Sequence, residues 1–379
     1  MSTVAIVRCD SYVEEVVKKA VTEVLELLGG VEKLIQPSHQ IFIKPNLAGP
    51  YPPDRQVTTH PSVVKALTQQ LQSFGARITI GDSPSGLHNP AYLRMLYRMT
   101  GMEKVAHETG AVLNYNIASR EVSYPEGKQL RRLTLLSPLL DSESIVTVPK
   151  LKTHLFTKIT GAVKVLYGAV PGVMKIAYHS RFQDPLQFSQ MLVDIYRYLN
   201  PRFTLVDGVV GMEGNGPAWG QPRKLGLIIA GEDSLAVDWV ISRIINLDPF
   251  DVPVFGSDGI PIPRIVGMDL EEARVTDFRL PAPTRVSDGL IAIRWVPKSL
   301  RDRLGYHLLS KPFIDESKCT GCSTCAKSCP QQTIEIIKGK ARIDHGNCIR
   351  CWCCNEVCPQ GAVILKQSLL GRLSTRLQG

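Results

Sequence analysis

Two cysteine runs near one end of the chain carry its most specific chemistry. They are Cys319-Thr-Gly-Cys322-Ser-Thr-Cys325-Ala-Lys-Ser-Cys329-Pro330 and Cys348-Ile-Arg-Cys351-Trp-Cys-Cys354-Asn-Glu-Val-Cys358-Pro359. Three thiolates within seven residues grip one face of a small metal–sulfide cube only if the loop curls tightly around it. Gly321, Ser323 and Thr324 leave room there for backbone N–H groups to approach the sulfides. Zinc knuckles instead pair C-x2-C units across longer gaps, and disulfides need an oxidising compartment. The spacing points to iron–sulfur clusters and one-electron transfer.

Both runs read C-x2-C-x2-C-x3-C-P, and in this they resemble the bacterial-type ferredoxins that carry two [4Fe–4S] clusters. In such ferredoxins the fourth cysteine of each run serves the other cluster. The resemblance therefore implies Cys319, Cys322, Cys325 and Cys358 around one cube, and Cys348, Cys351, Cys354 and Cys329 around the second. The runs repeat at an offset of 29 residues, since Ile314-Asp315 matches Ile343-Asp344 and Cys329-Pro330-Gln331 matches Cys358-Pro359-Gln360. A pseudo-twofold module of two strand–loop–helix halves follows. Cys9 ends an apolar run and is expected to be a small core residue, and Cys353 has no assigned role.

The remainder must position whatever exchanges electrons with that module. At 379 residues, 44% apolar and 21% charged, the composition fits one large globular domain and one small one. No apolar run reaches the ~18 residues of a membrane span, and Asp10, Glu14 and Glu15 interrupt any leader-like N-terminus. Cysteines kept as ligands or core thiols imply a reducing cytoplasm, and oxygen-labile cubes imply an anaerobic one. The formal charge is +9, but each thiolate-ligated cube brings it down, to roughly +5 for two. With no helix-turn-helix, zinc-finger or RNA-binding signature, nucleic acid is excluded as a partner. A membrane is not expected as one either, and the excess lysine and arginine suits small anions.

The first ~245 residues alternate strand-like and helix-like stretches. Strands are expected at Thr3–Cys9, Gln40–Lys44, Arg77–Gly81, Ile145–Val148, Phe203–Asp207 and Leu225–Ala230. Helices are expected at Tyr12–Leu28, Pro61–Phe74, Thr157–Tyr167, Leu186–Leu199 and Ser234–Ile245. This rhythm predicts a layered α/β domain with a mainly parallel sheet over residues 1–246. A proline-rich irregular connector over 247–310 follows, then a small α+β ferredoxin-like iron–sulfur domain over 311–366. Residues 367–379 form a basic amphipathic tail, with Leu369, Leu370, Leu373 and Leu377 at helical spacing.

Polar runs follow the strands directly, where open α/β sheets bind ligands. Lys44, Asn46, Asp82, Ser83, Lys150, Lys152, Thr153, Asp207 and Asn215 are candidates to hold a ligand or cofactor. His154, Lys164 and His179 are catalytic candidates, with His60 a further proton carrier and Lys175 a further anion holder. On the expected helix, Thr157, Thr160, Gly161, Lys164 and Gly168 would share one small polar face. A separate metal site from His60, His154, His179 and Asp82 is a third possibility. Gly211, Gly214 and Gly216 do not space as a dinucleotide fingerprint, no phosphate-binding loop exists, and Gly81-Asp82-Ser83-Pro84 is not a nucleophile elbow.

These same runs resemble the family called domain of unknown function 362. They are Ile43-Lys44-Pro45-Asn46, His60-Pro61, Gly81-Asp82-Ser83-Pro84, Pro149-Lys150-Leu151-Lys152-Thr153-His154, Thr160-Gly161-Ala162-Val163-Lys164, Gly168, Pro171-Gly172, Asp207-Gly208, Gly214-Asn215-Gly216-Pro217 and Ala236-Val237-Asp238. The likeness covers about residues 3–245. One departure is that Val165 follows Lys164 where the family carries an asparagine. The resemblance implies an iron–sulfur protein and names no substrate.

Two functions of different kind remain. In one, cubes fed by a redox partner protein pass single electrons to or from the α/β domain, a reductase for a small anionic substrate or cofactor. In the other, the protein catalyses nothing and is an electron-transfer or assembly partner that docks another protein.

Overall fold

The computed structural model describes residues 2–84, 88–256, 259–260, 262–282 and 310–366. It divides into two compact units, Met1–Leu280 and Pro281–Gly379. The amphipathic tail and residues 283–309 of the expected connector lie outside the described residues. No helix among those described is long and apolar enough to cross a membrane.

In the large unit, β1 (Thr3–Arg8), β2 (Gln40–Pro45), β3 (Arg77–Ile80), β4 (Val112–Leu113) and the hairpin β5 (Ser119–Ser123)/β6 (Arg132–Leu136) come first. There follow β7 (Ser144–Val148), β8 (Lys150–His154), β9 (Lys158–Thr160), β10 (Phe203–Glu213), β11 (Gln221–Gly231) and β12 (Arg264–Gly267). The main sheet runs β12-β1-β11-β10-β7-β2-β3-β4, with β8 beside β10 and β9 beside β8. From β10 through β7, β2 and β3 to β4 all pairings are parallel, and only β11 and the β8–β9 hairpin bring antiparallel ones. Ile145–Val148 and Leu227–Ala230 are buried on both faces, as the helix-covered strands of such sheets must be.

Helices Glu14–Leu27 and Pro61–Ser73 lay Val17, Val21, Val24, Val64, Leu67 and Leu71 into one apolar cluster with β1, β2, β3, β7, β10 and β11. Pro61 opens its helix while the His60 ring accepts from Ser62 N. Asp184 and Asp233 cap helices Pro185–Leu199 and Ser234–Ile244 through their carboxylates.

The sequence suggests one helix from Thr157, but the chain forms β9, a short helix Ala162–Val165 and a 3-10 turn Leu166–Ala169. Lys158 takes φ +69° and Gly161 is extended, so no helix passes through them. The Asp238 carboxylate starts the short helix by accepting from Ala162 N (2.6 Å) and Val163 N (3.1 Å). The expected shared polar face is therefore absent. Lys150–His154 is a fully buried strand rather than a loop, separated from β7 by Pro149, which has no N–H to continue the ladder. Part of the expected connector joins the sheet: β12 pairs with β1, and helix Leu270–Ala273 follows it. Four residues are too few to show a strand's period against the surrounding prolines.

In the small unit, β13 (Lys311–Ile314) pairs with β16 (Val363–Lys366), and β14 (Ile334–Ile337) with β15 (Lys340–Ile343). One-turn helices Thr324–Lys327 and Cys353–Glu356 sit one repeat apart. The halves brace each other symmetrically: Asp315 N donates to Ala362 O (2.7 Å), and its repeat mate Asp344 N to Thr333 O (2.8 Å).

Candidate functional site

Each cysteine loop curls around a small cavity. Cys319, Cys322, Cys325 and Cys358 line the first, and Cys329, Cys348, Cys351, Cys353 and Cys354 the second. Each cavity thus takes one cysteine from the other run. Ser323 and Trp352 turn their loops through φ +63° and +64°, and Gly321 lies so near Gly339 that a β-carbon there would strike its carbonyl. Backbone N–H groups reach the thiols: Ala341 N to Cys319 Sγ at 3.4 Å, Thr333 N to Cys329 Sγ at 3.4 Å, and Ala362 N to Cys358 Sγ at 3.2 Å. Four thiols, an apolar wall and amide donors are what a [4Fe–4S] cube requires. Among the described residues no three His, Cys, Asp or Glu side chains converge as ligands of a single metal ion. The thiols ring a void, which suits a cube and not a lone zinc, and His60, His154, His179 and Asp82 form no metal centre.

The other site is the carboxyl edge of the large sheet, where β2, β3, β8 and β10 present charges in a dry setting. Lys44, Lys150, Lys152 and Lys175 are 1%, 0%, 1% and 4% exposed. Lys44 Nζ donates to Asp82 Oδ1 (2.7 Å), while Leu47 N (2.7 Å) and Ser83 N (2.8 Å) complete the carboxylate's shell. Gly168 presses on this pair, and a β-carbon there would overlap both Asp82 Oδ1 and Lys44 Nζ. Lys175, on helix Gly172–Arg181, donates to the Ser83 carbonyl and lies beside that of Pro84. Ser83 Oγ and Asn46 Oδ1 are buried with no partner among the described residues.

Asp207 anchors a second constellation. Its Oδ2 accepts from Lys150 Nζ (3.0 Å) and His60 N (2.9 Å), and its Oδ1 from Tyr12 OH (2.9 Å). Lys150 Nζ also donates to Tyr12 OH (2.5 Å) and Gln56 Oε1 (2.9 Å). Lys150 and Lys152, two apart on β8, share a face, and Lys152 Nζ holds Val57 O at 2.6 Å. The Tyr12 ring stacks on His60, centroids 3.7 Å apart. Tyr12 and Gln56 escaped the sequence reading, although Tyr12 follows β1 much as the other candidates follow their strands.

Burial dominates the titration of this edge. It pushes the ammonium groups of Lys44 and Lys150 down despite their carboxylate partners. It lowers Lys175 to about 7, Asp82 pulling back while Lys44 and Lys164 repel. Burial takes His60 to about 4, raises the Tyr12 phenol, with Asp207 adding to the effect, and lifts Asp238 to about 7.

The remaining candidates lie apart. His154 Nδ1 accepts from Phe156 N (3.1 Å) and Thr157 N (3.3 Å), organising the turn after β8. His179 stacks on Phe188 at 4.5 Å within an aromatic cluster. Thr153 Oγ1 accepts from Gly216 N (3.2 Å), joining β8 to the turn that carries Asn215. Lys164 closes the short helix and is half-buried.

Residues 41–243 match the family described as Domain of unknown function (DUF362), and residues 311–359 match a 4Fe-4S dicluster domain. A thylakoid-associated protein of Synechocystis sp. is 31% identical over 264 residues, 68% of this chain and 78% of that protein. The lactate racemase apoprotein of Thermoanaerobacterium thermosaccharolyticum is 16% identical, with TM-score 0.42, over 63% of this chain and 56% of that one. A Thermotoga maritima structure is 15% identical, with TM-score 0.37, over 64% and 61%. The chain spans less than two thirds of either solved structure. By the match over its sheet-edge motifs and the cyanobacterial relative, it belongs to the DUF362 family, with a 4Fe-4S dicluster domain following.

Proposed function

We propose that the protein is an electron-transfer protein whose α/β unit reduces a small anionic substrate or cofactor. Cys319, Cys322, Cys325 and Cys358 would hold one [4Fe–4S] cube, and Cys348, Cys351, Cys354 and Cys329 the other. When bound, such cubes supply single electrons, and a redox partner protein is the donor or acceptor. A reducing, oxygen-poor cytoplasm is the setting.

One observation carries the substrate class. Two buried ammonium groups, Lys44 and Lys175, share the single Asp82 carboxylate, and burial first, then repulsion from Lys44 and Lys164, brings Lys175 to about 7. A small anion would offset that surplus through charge-assisted hydrogen bonds. The buried hydroxyl of Ser83 is a further donor, and Lys175 would deliver a proton to a reduced product.

Anaerobically purified holoprotein, analysed for iron, sulfide and metals, should release a small anion to mass spectrometry. Calorimetry with inorganic phosphate or a short carboxylate should show binding that weakens as pH rises through about 7, the Lys175 value. The sign follows because an anion favours the protonated ammonium. Lys175→Met should flatten the profile; binding as strong at pH 9 as at pH 6 would rule out this role for Lys175. Internal pairing of Lys44 with Asp82 and of Lys150 with Asp207 favours the second function, a non-catalytic docking partner. An intact holoprotein that binds no anion would leave that one.

A further inference from the structure

Laid on itself with its 29-residue offset, the cysteine repeat places Trp352 over Ser323 and Cys353 over Thr324. The backbone agrees, because Ser323 and Trp352 each precede a one-turn helix in the same left-handed conformation. In the first loop the Thr324 hydroxyl lies 3.4 Å from Cys322 Sγ. In the second, Cys353 lines the cavity together with Cys351, the repeat mate of Cys322. A thiol thus stands in the second loop where the first has the Thr324 hydroxyl. Five cysteines therefore surround a site whose partner has four.

Trp352 supplies a second observation. It is 1% exposed, lines the same cavity, and its indole Nε1 finds no partner among the described residues. A buried donor left without an acceptor costs free energy, so an acceptor in the cavity is expected. Cube sulfurs and cysteine thiolates are acceptors of that kind. Ser323 has no equivalent reach, and its own hydroxyl turns back to Gly321 O at 3.4 Å.

We infer that Trp352 and Cys353 are hydrogen-bond donors to the second cube, the indole N–H to one of its sulfurs and the Cys353 S–H to the Cys351 thiolate, and that Cys353 is not a ligand. Donors to sulfur stabilise the more negative, reduced form, so each raises that cube's potential. The inference rests on the two-cube assignment above.

Anaerobic redox titration followed by electron paramagnetic resonance tests it on the full-length holoprotein. Trp352→Phe and Cys353→Ala should each lower the midpoint of one and the same cube while iron and sulfide stay at the wild-type count. Thr324→Val should lower the other cube's midpoint instead, and Cys353→Thr should restore what Cys353→Ala lost. Unmoved midpoints with full iron overturn the inference alone. Loss of one cube's iron in Cys353→Ala, with Cys353→Thr equally depleted, makes Cys353 a ligand and overturns it as well. A wild-type protein without the iron and sulfide of two cubes overturns the assignment and the inference together.

Discussion

The α/β unit buries four lysines at the edge of an apolar core that runs through eleven of its elements, whereas half of the residues at the centre of the cysteine module are thiols. In the first, Val24, Ile43, Leu67, Ile80, Val146, Leu205 and Ile228 belong to one continuous cluster. In the second, Cys319, Cys325, Cys354 and Cys358 are joined only by Ile334, Ala341, Ala362 and Val363. A large apolar core can carry charges that cost free energy to bury, because its stability comes from elsewhere in the sheet. A module this small cannot, and a metal must complete it.

The largest effect that would break this contrast is chelation. Removing iron should abolish hydrogen-exchange protection across residues 310–366 and leave the main sheet of Met1–Leu280 protected. A module that stays protected after complete iron loss would show that its few apolar residues suffice.

Next in size is the buried pair on β8 and β10. Asp207→Asn leaves Lys150 in a dry site without its carboxylate and should cost about 3–5 kcal/mol in denaturant melts of the large unit. Lys150→Met with Asp207→Leu should recover most of it, since no unpaired charge remains. A single-mutant cost under about 1 kcal/mol, that of a surface pair, would mean that water reaches this edge.

Smaller still is Gly168→Ala. Its β-carbon needs the space held by Asp82 and Lys44, an overpacking worth about 1–3 kcal/mol. Weakened phosphate binding should accompany the stability loss. Lost stability with unaltered binding would separate this pair from the ligand site.

Much of this architecture is legible in the residues themselves. β-Branched runs mark β2, β7 and β11, the Pro61 start marks its helix, and the cysteine spacing marks the module because its constraint is local. What escapes is set by distant partners. Lys150-Leu151-Lys152-Thr153-His154 reads as a ligand-binding run at a strand end until Asp207, Gln56 and Val57 O are brought to it as internal partners. The helix expected from Thr157 fails because Asp238, far along the chain, fixes where helix begins. Cys353 fits neither the ligand spacing nor the repeat, and its proposed role comes from the cavity that its side chain lines.

The exchange of one cysteine between the cavities bears on how the module matures. Cys358 closes the wall around Cys319, and Cys329 closes the wall around Cys348, so filling either void pins a residue of the opposite half. Occupancy of the first then pre-orders the second, and depletion of one loosens its neighbour. Protein starved of iron during synthesis should sort into molecules fully loaded and molecules empty, with few holding a single cube.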